Sequence, residues 1–246
     1  GMFRGGCAGE IAFTPHDPPN AFHETVLIGT GHEMPNSIGL WGGMPGGTGR
    51  HILVQGSGID ERLKGGETLP DSLEIMGGEQ VVFPPKAPRT PFYPGEIWYS
   101  SWQGAGGYGD PLDRDPEKVR GDLVAELVTP VFAEKIYGVA VGPDGRVDES
   151  ATHVLRERHR LKRRERIGGG PAPAGRPPNL GGRGIRANEY VVWDEEREEL
   201  VCRKCGHSFG PIDADPKERA ASEDAPLSVG GPVMGQLYDR GRFVFR

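Results

Sequence analysis

Short runs in which apolar and polar residues alternate predict β-strands across the first hundred positions. The runs cover residues 10–14, 22–28, 51–55, 72–76, 80–83 and 95–100. Glycine and proline separate them, as is typical of turns between short strands. A parallel sheet needs long crossover helices, and the pattern offers none before Pro116. We therefore expect antiparallel or mixed strand pairing in this part of the chain.

Helical spacing replaces the alternation after this point. A helix is predicted over 116–127 and a shorter one over 130–137, and 138–145 is predicted to form a strand and a turn. The apolar positions of the first helix are Val119, Leu123, Val124 and Leu127. Asp148 is the predicted N-cap of a third helix that ends at Arg166. The predicted fold class is α+β, with a β-rich region followed by helices.

The third predicted helix is crowded with positive charge. Its basic residues are Arg156, Arg158, Arg160, Lys162, Arg163, Arg164 and Arg166. Its apolar stripe is thin and consists of Ala151, Val154, Leu155 and Leu161. Like charges on one helix are unfavourable unless acidic groups or solvent lie opposite. Two interpretations stay open, a docking surface for another subunit and a helix face in solvent, with nucleic acid a remote third.

The remainder of the chain predicts a linker and a small tail. Residues 167–188 are rich in glycine and proline and low in apolar residues, which indicates a linker. Strands at 189–193 and 198–202 are expected to form a hairpin through 194–197, and 241–246 is expected to return as a strand. The predicted domains are therefore a β-rich domain at 1–166, the linker, and a zinc-ribbon-like module at 189–246.

Glycine dominates the composition and concentrates in two loops. The chain has 40 glycines and 23 prolines and is only 35% hydrophobic, so we expect it to depend on partner subunits. One loop, 39–49, carries Trp41 as a possible pocket anchor; the other, 103–116, fits Gly-x-Gly-x-x-Gly at Gly104, Gly106 and Gly109. A helix would have to open inside those glycines to bind a dinucleotide pyrophosphate, whereas Asp110 and Pro111 intervene. A tight turn packed against a partner is the favoured interpretation.

The charge balance and the cysteine count bound the setting. A net charge of −6 argues against a general nucleic-acid partner, and no apolar run is long enough to cross a membrane. Three cysteines and an N-terminus without a secretory apolar stretch do not indicate an oxidised, secreted scaffold. The expected location is the cytoplasm.

The tail contains the clearest candidate for chemistry, a metal site. Cys202 and Cys205 have Cys-x-x-Cys spacing, and the following Gly206 permits the tight turn that directs two thiolates at one cation. Basic neighbours at Arg203 and Lys204 would favour the thiolate form, and His207 is a possible third ligand. We predict structural zinc at Cys202, Cys205 and His207. The open sources of further ligands are Asp213, Asp215, Cys7 and another chain, and a redox dithiol or unligated thiols remain alternatives.

Three histidines stand beside acidic residues in loops of the first domain. The pairs are His16 with Asp17, His23 with Glu24, and His32 with Glu33. None has a second ligand at helical spacing. Surface polarity is therefore the favoured interpretation, with acid–base catalysis or metal binding as the alternative.

Three motifs follow one another along the first domain: GLWGGMPG at 39–46, GAGGYGDPLDRDPEKV at 104–119 and YGVAV at 137–141. In order and spacing they resemble the C-terminal part of the hydantoinase B/oxoprolinase family. The tail around Cys202 and Cys205 is similar to the small zinc-binding subunit of acetone and acetophenone carboxylases. Together the two resemblances imply a subunit of a biotin-independent, ATP-dependent ketone carboxylase, which makes a β-keto acid from a ketone and bicarbonate.

The same resemblance implies how work is divided among subunits. In the family a hydantoinase A-like subunit handles ATP, and the catalytic residues and their divalent metal lie in the N-terminal part of the hydantoinase B-like subunit. The motifs of that part do not occur here, so no catalytic or cofactor-binding residue is assigned to this chain. The expected partners are hydantoinase A-like and hydantoinase B N-terminal-like subunits in a hetero-oligomer, with this chain as scaffold. The alternatives are a subunit of a hydantoin or oxoproline hydrolase and a free-standing zinc-ribbon protein.

Overall fold

A computed structural model describes residues 1–16, 20–68, 70, 72–166, 185–204, 206–216, 218–220, 222–230 and 242–245. Its strands are β1 (Glu10–Phe13), β2 (His23–Ile28), β3 (Arg50–Gln55), β4 (Glu79–Val82), β5 (Lys86–Phe92), β6 (Ile97–Ser101), β7 (Ile185–Arg186), β8 (Val191–Asp194), β9 (Glu199–Cys202), β10 (Ser208–Gly210), β11 (Glu223–Pro226) and β12 (Arg242–Phe245). The α-helices are α1 (Ile59–Lys64), α2 (Pro116–Val124), α3 (Pro130–Lys135) and α4 (Glu149–Arg166). The predicted α+β class is confirmed, and all pairs between these strands are antiparallel.

A four-stranded sheet in the order β1-β6-β3-β4 forms the centre of the first domain. Its two middle strands are buried on both faces, since successive side chains point to opposite sides. One face packs Ile52, Val54, Ile97 and Tyr99 against Ile59, Leu73 and Met76. The other face packs Leu53 and Trp98 against Leu27, Phe83, Ala87 and Phe92. This double burial fixes the strand register, because a slip of one residue would exchange the two faces.

Three segments of the first domain differ from the sequence prediction. The predicted strand at 72–76 is a 3₁₀ turn at Leu73–Ile75, because Leu73 and Met76 both insert beneath the sheet. Helix α1 and strand β5 were not predicted; β5 contains Pro88 and Pro91, which a strand of a two-stranded sheet tolerates. The predicted strand within 138–145 is reduced to a single bridge between Val141 and Val147.

The helices begin where side-chain caps predict them. Asp115 Oδ1 accepts from Glu117 N at the start of α2, and Thr129 Oγ1 accepts from Phe132 N at the start of α3. Asp148 Oδ1 accepts from Ala151 N, so the predicted cap of α4 is confirmed. These caps satisfy amide groups that have no partner within the helix.

Helix α2 is shorter than the predicted 116–127. It ends at Val124, and Glu126 has a left-handed φ of 56°. Only Val119 of its apolar positions is fully buried, whereas Val124 is 74% exposed. No described helix is long and apolar enough to cross a membrane.

The tail forms its own small sheet in the order β10-β9-β8-β7. The predicted hairpin is confirmed, with Val191 opposite Cys202 and Asp194 opposite Glu199. The predicted terminal strand is also confirmed as β12, which pairs with β11. Residues 167–184 of the predicted linker lie outside the described part of the chain.

Candidate functional site

Three glycine-rich backbone segments lie side by side at one edge of the first domain. Phe3 and Tyr108 exchange two N–H···O bonds of 2.9 Å, and Leu40 N donates to Gly107 O while Gly109 N donates to Leu40 O, both at 2.9 Å. The segment at 104–109 is thus the middle of three. We define the glycine layer as residues 1–6, 37–46 and 104–109.

The layer is held too tightly for side chains at several positions. A Cβ atom on Gly106 would lie 2.0 Å from Ile38 O, and one on Gly43 would lie 2.0 Å from Gly107 O. Real side chains do not approach backbone atoms so closely, so glycine is required here. The predicted close packing of the second glycine loop is therefore met by other segments of this same chain. Helix α2 begins only at Pro116, after these glycines, and so lacks the geometry of a dinucleotide fingerprint.

One face of the glycine layer presents apolar side chains to solvent. Tyr108 forms β-bridges with both Phe3 and Leu40, and the rings of Phe3 and Tyr108 lie 6.1 Å apart. Phe3 is 53% exposed and Leu40 52%. Trp41 is exposed as well, so the prediction that it anchors the loop in a pocket is wrong for this chain's own surface. We define the layer patch as Phe3, Ile38, Leu40 and Trp41.

Two aspartates directly after the layer receive the basic side chains of α4. Arg163 Nη1 contacts both carboxylate oxygens of Asp110, at 2.9 and 3.0 Å. Arg160 Nη2 lies 3.1 Å from Asp113 Oδ1. Arg156 donates to backbone oxygens, including Tyr137 O at 3.2 Å. Part of the crowded positive charge predicted for α4 is thus neutralised within the chain.

Helix α4 consequently packs in the opposite sense to its predicted apolar stripe. Its buried side carries Thr152, whose hydroxyl accepts from Ala140 N at 3.0 Å, together with the three arginines. Val154 and Leu161 of the stripe are 56% and 48% exposed. The hydrogen bonds to Asp110 and Asp113 decide this orientation, since an aliphatic side chain cannot satisfy those carboxylates.

The tail contacts the same pair of aspartates. Tyr190 Oη accepts from Asp110 N at 2.5 Å and donates to Asp113 Oδ2 at 3.1 Å. Lys204 Nζ lies 2.5 and 2.8 Å from the two oxygens of Asp113 and 5.2 Å from the centre of the Tyr190 ring. We call Tyr190 and Lys204 the tail clasp.

Burial and charge shape the titration of the clasp. Burial raises the pKa of Tyr190, so its hydroxyl keeps its proton. Burial opposes ionisation of Asp113 too, but the hydrogen bond and positive charge of Lys204 outweigh it and lower the pKa of Asp113. Asp113 is therefore an anion that bridges helix α4 and the tail.

A second ion-paired cluster fastens the N-terminal segment of the layer. Arg114 Nη2 lies 2.8 Å from Asp122 Oδ2, and Arg4 Nε lies 3.2 Å from the same oxygen. Arg114 Nη1 also donates to Met2 O at 3.2 Å. Arg114 and Asp122 are both buried, so loss of either would leave a buried charge without compensation.

No family model matches this sequence, but several characterised proteins do. The acetone carboxylase alpha subunit of Xanthobacter autotrophicus is 31% identical over 180 residues, covering 66% of this chain and 23% of that protein. The acetophenone carboxylase delta subunit of Aromatoleum aromaticum is 31% identical over 176 residues, covering 68% and 25%. The beta subunit of caprolactamase from Pseudomonas jessenii is 42% identical over 66 residues, covering 27% and 11%.

The homologues are carboxylase and hydantoinase-type subunits. This confirms the predicted relationship to hydantoinase B-like proteins. The chain spans about a quarter of the length of the two carboxylase subunits. Among solved structures, ATP-dependent caprolactamase from Pseudomonas jessenii superposes with a TM-score of 0.49 and 26% identity, over 64% of this chain and 24% of that one.

The homologues leave the candidate metal site as a prediction. Cys202 N donates to His207 O and Cys202 O accepts from Gly206 N, both at 2.8 Å, so the turn sets Cys202 and His207 opposite each other. Cys205 lies outside the described residues. The turn suits a Cys-x-x-Cys knuckle, but among the described residues no three ligand side chains gather at one point.

The surroundings of the turn differ from the expectation. Lys204, predicted to favour a thiolate, is bound by Asp113, and Arg203 Nη1 donates to Glu189 O. Cys7, a possible extra ligand, lies in the N-terminal segment, where its Sγ accepts from Arg4 Nη1 at 3.1 Å. Asp213 and Asp215 follow β10 in the tail.

Only one of the three histidine–acid pairs has a buried histidine. His32 is 3% exposed, while His16, His23 and Glu33 are exposed, and Asp17 lies outside the described residues. The neighbour of His32 in space is His51, with ring centres 4.6 Å apart. Periodicity gave no signal for this pairing, because His51 simply lies within strand β3.

The buried histidine pair is built for the neutral state. Ser100 Oγ accepts from Trp98 Nε1 at 3.0 Å, which leaves its own proton for His51 Nδ1 at 2.7 Å. Burial, with the nearby His32 adding to it, lowers the pKa of His51 to about 4, and burial also lowers the pKa of His32. The pair is a part of the core beside the layer.

Proposed function

We propose that this chain is an assembly subunit of a biotin-independent, ATP-dependent ketone carboxylase complex in the cytoplasm. The complex would join a ketone and bicarbonate into a β-keto acid. The ATP site, the catalytic divalent metal and the catalytic residues would lie on companion hydantoinase A-like and hydantoinase B N-terminal-like subunits. Support comes from the two carboxylase subunits, which align with 66% and 68% of this chain.

The layer patch is the observation that carries the assembly role. Phe3, Ile38 and Leu40 are each more than half exposed on a backbone layer that hydrogen bonds hold rigid. A rigid apolar surface of this kind costs solvation free energy when it faces water and favours contact with another protein. The glycine layer would therefore supply a preformed surface on which the catalytic chain packs.

The reaction is tested with the complex that co-purifies with the tagged full chain. We expect ATP hydrolysis that requires both bicarbonate and a ketone such as acetone or acetophenone, with a β-keto acid as the product. ATP consumption without either substrate, or no stimulation by any ketone, would contradict the carboxylase. A tagged chain that is stably folded, monomeric and without companions would contradict the assembly role itself.

A cyclic amide hydrolase is the second candidate. The segment that matches the caprolactamase beta chain has the higher identity, 42%, and a putative D-/L-hydantoinase of the B type from a Pseudomonas species is 34% identical over 79 residues. In that case the same complex would open a lactam or hydantoin ring without bicarbonate. Assaying caprolactam and hydantoin beside the ketones separates the two reactions.

Structural zinc in the tail is also part of the proposal. Cys202, Cys205 and His207 would hold it, and the tight turn at Gly206 supports this assignment. Elemental analysis of the wild type and of Cys202→Ser/Cys205→Ser tests it. About one equivalent of zinc in the wild type and none in the double variant is expected; equal zinc in both would remove the site.

A further inference from the structure

A groove opens beneath the exposed stripe of α4. Its volume is about 590 Å³. It runs between α3, the segment at 139–141 and the first half of α4, and its walls are mostly aliphatic. The residues that matter most are Ala133, Val141, Ala151, Val154 and Leu155, with Arg158 at one end. Val141 and Val154 remain 37% and 56% exposed, so the groove is apolar and open.

The apolar stripe continues from the groove along α4. Val154, Leu161 and Glu165 follow one another at helical spacing, and Arg158 and Lys162 lie on the same side. Thr152, Arg156, Arg160 and Arg163 are turned toward the body of the protein. A helix with one side fixed by ion pairs and an apolar stripe left in solvent has an unused binding face.

Charge distinguishes the two ends of this face. Helix α4 carries seven basic residues against three acidic ones, and Asp110 and Asp113 neutralise Arg163 and Arg160. Beyond the groove the exposed side has Arg158 and Lys162 before the acid Glu165. On the opposite wall Glu134 lies near the groove's first end. The face is thus apolar over the groove and cationic along the second half of α4.

We propose that this groove binds an amphipathic helix of another polypeptide, with aliphatic residues seated against Val141 and Val154 and carboxylates over Arg158 and Lys162. Aliphatic side chains at i, i+3, i+4 and i+7 match the stripe of α4. Complementary charge along the second half selects the partner and its direction. This inference concerns a surface distinct from the layer patch and does not depend on which reaction the complex performs.

A second copy of this chain fits the face poorly. Two α4 helices packed antiparallel through these stripes would bring Arg158 close to its own counterpart, and both helices carry excess positive charge. Such like-charge contacts are unfavourable, and Glu165 alone on this side of each helix does not offset them. The complementary partner is therefore acidic, which makes self-association a discriminating outcome.

The test uses the full chain and two designed helical peptides of about 18 residues, matched to the length of α4. Both peptides carry leucine at i, i+3, i+4 and i+7; one has glutamate at the flanking positions and the other has lysine. Fluorescence anisotropy at low salt measures binding. We expect the glutamate peptide to bind at least about tenfold more tightly than the lysine peptide, and the difference to shrink with added salt.

Variants locate the site. Val154→Asp should abolish binding of the glutamate peptide, and Arg158→Glu should weaken it while strengthening the lysine peptide. The matched control is Val124→Asp, a change of the same kind at a residue that is 74% exposed and lies outside the groove. Circular dichroism checks that each variant is folded.

Several outcomes would overturn the inference. They are no binding of either peptide, equal binding of both, equal loss with Val154→Asp and Val124→Asp, and dimerisation of the free chain that Val154→Asp abolishes. The last outcome would assign the groove to a second copy of this chain.

Discussion

At the residue scale, His51 shows how burial sets a dependence on pH. Its folded pKa of about 4 lies below the ordinary value of 6.5, so the unfolded chain binds a proton that the folded chain excludes. The free energy of unfolding should therefore be unaffected by this group above about pH 6.5 and fall as the pH decreases from 6.5 to 4. With some solvent screening, we expect a loss on the order of 2 kcal/mol.

The variant His51→Gln isolates this contribution, because glutamine retains hydrogen-bonding groups and does not titrate. Denaturant unfolding of the full chain at a series of pH values should give a shallower slope between pH 6.5 and 4 for this variant. His23→Gln, at an exposed position, should keep the wild-type slope. Identical slopes in the wild type and His51→Gln would show that another group controls acid sensitivity.

Glycine layer packing makes a second prediction at the same scale. Gly106→Ala places a Cβ 2.0 Å from Ile38 O, a backbone atom that cannot rotate away. We expect a loss of about 1–3 kcal/mol in unfolding free energy, read from thermal or denaturant melts. Gly121→Ala is the control: its Cβ meets nothing within 4 Å inside α2, so it should be neutral or stabilising. Similar destabilisation by both changes would argue against tight layer packing.

At the element scale, periodicity and capping predicted the elements that depend on local signals. The central strands alternate between two packed faces, and Asp115, Thr129 and Asp148 mark helix starts by side-chain geometry alone. Strand β5 escaped because its prolines oppose strand formation except in an edge position. The turn at 72–76 escaped because burial of Leu73 and Met76 at i and i+3 spacing is compatible with either conformation over so short a run.

The tail clasp can be tested as a connection between elements. Tyr190→Phe removes the acceptor of the Asp110 amide and the donor to Asp113, while it retains the ring beneath Lys204. We expect the Asp110 amide to exchange with solvent about tenfold faster, since a hydrogen bond of this kind contributes about 1.5 kcal/mol. Amide exchange measured by NMR or mass spectrometry provides the readout.

The control for the clasp is Tyr93→Phe, which removes an exposed hydroxyl elsewhere in the first domain. It should leave exchange at Asp110 unchanged. If Tyr190→Phe also has no effect there, the tail does not restrain the end of the glycine layer.

At the scale of the whole molecule, the candidate site was only partly predictable. Glycine motifs indicated close backbone packing and the relationship to hydantoinase B-like subunits. The sequence did not indicate that Asp110 receives Arg163, 53 positions away, or that Asp113 receives Lys204, 91 positions away. Pairings over such distances depend on the tertiary path of the chain, which local periodicity does not encode. The inverted orientation of α4 follows from these same pairings.

The assembly role makes its prediction at this scale through the layer patch. Leu40→Asp changes a side chain that is 52% exposed, so thermal stability of the free chain should stay near the wild-type value. In contact with a companion subunit the same carboxylate would be buried without a partner, which costs on the order of 2 kcal/mol and raises the dissociation constant about 30-fold. Affinity is measured with companions purified alongside the wild type. Ile75→Asp, 62% exposed in the 3₁₀ turn of the first domain, should assemble normally. Equal weakening by both variants would assign the loss to general surface charge, whereas undiminished assembly of Leu40→Asp would remove the glycine layer from the interface.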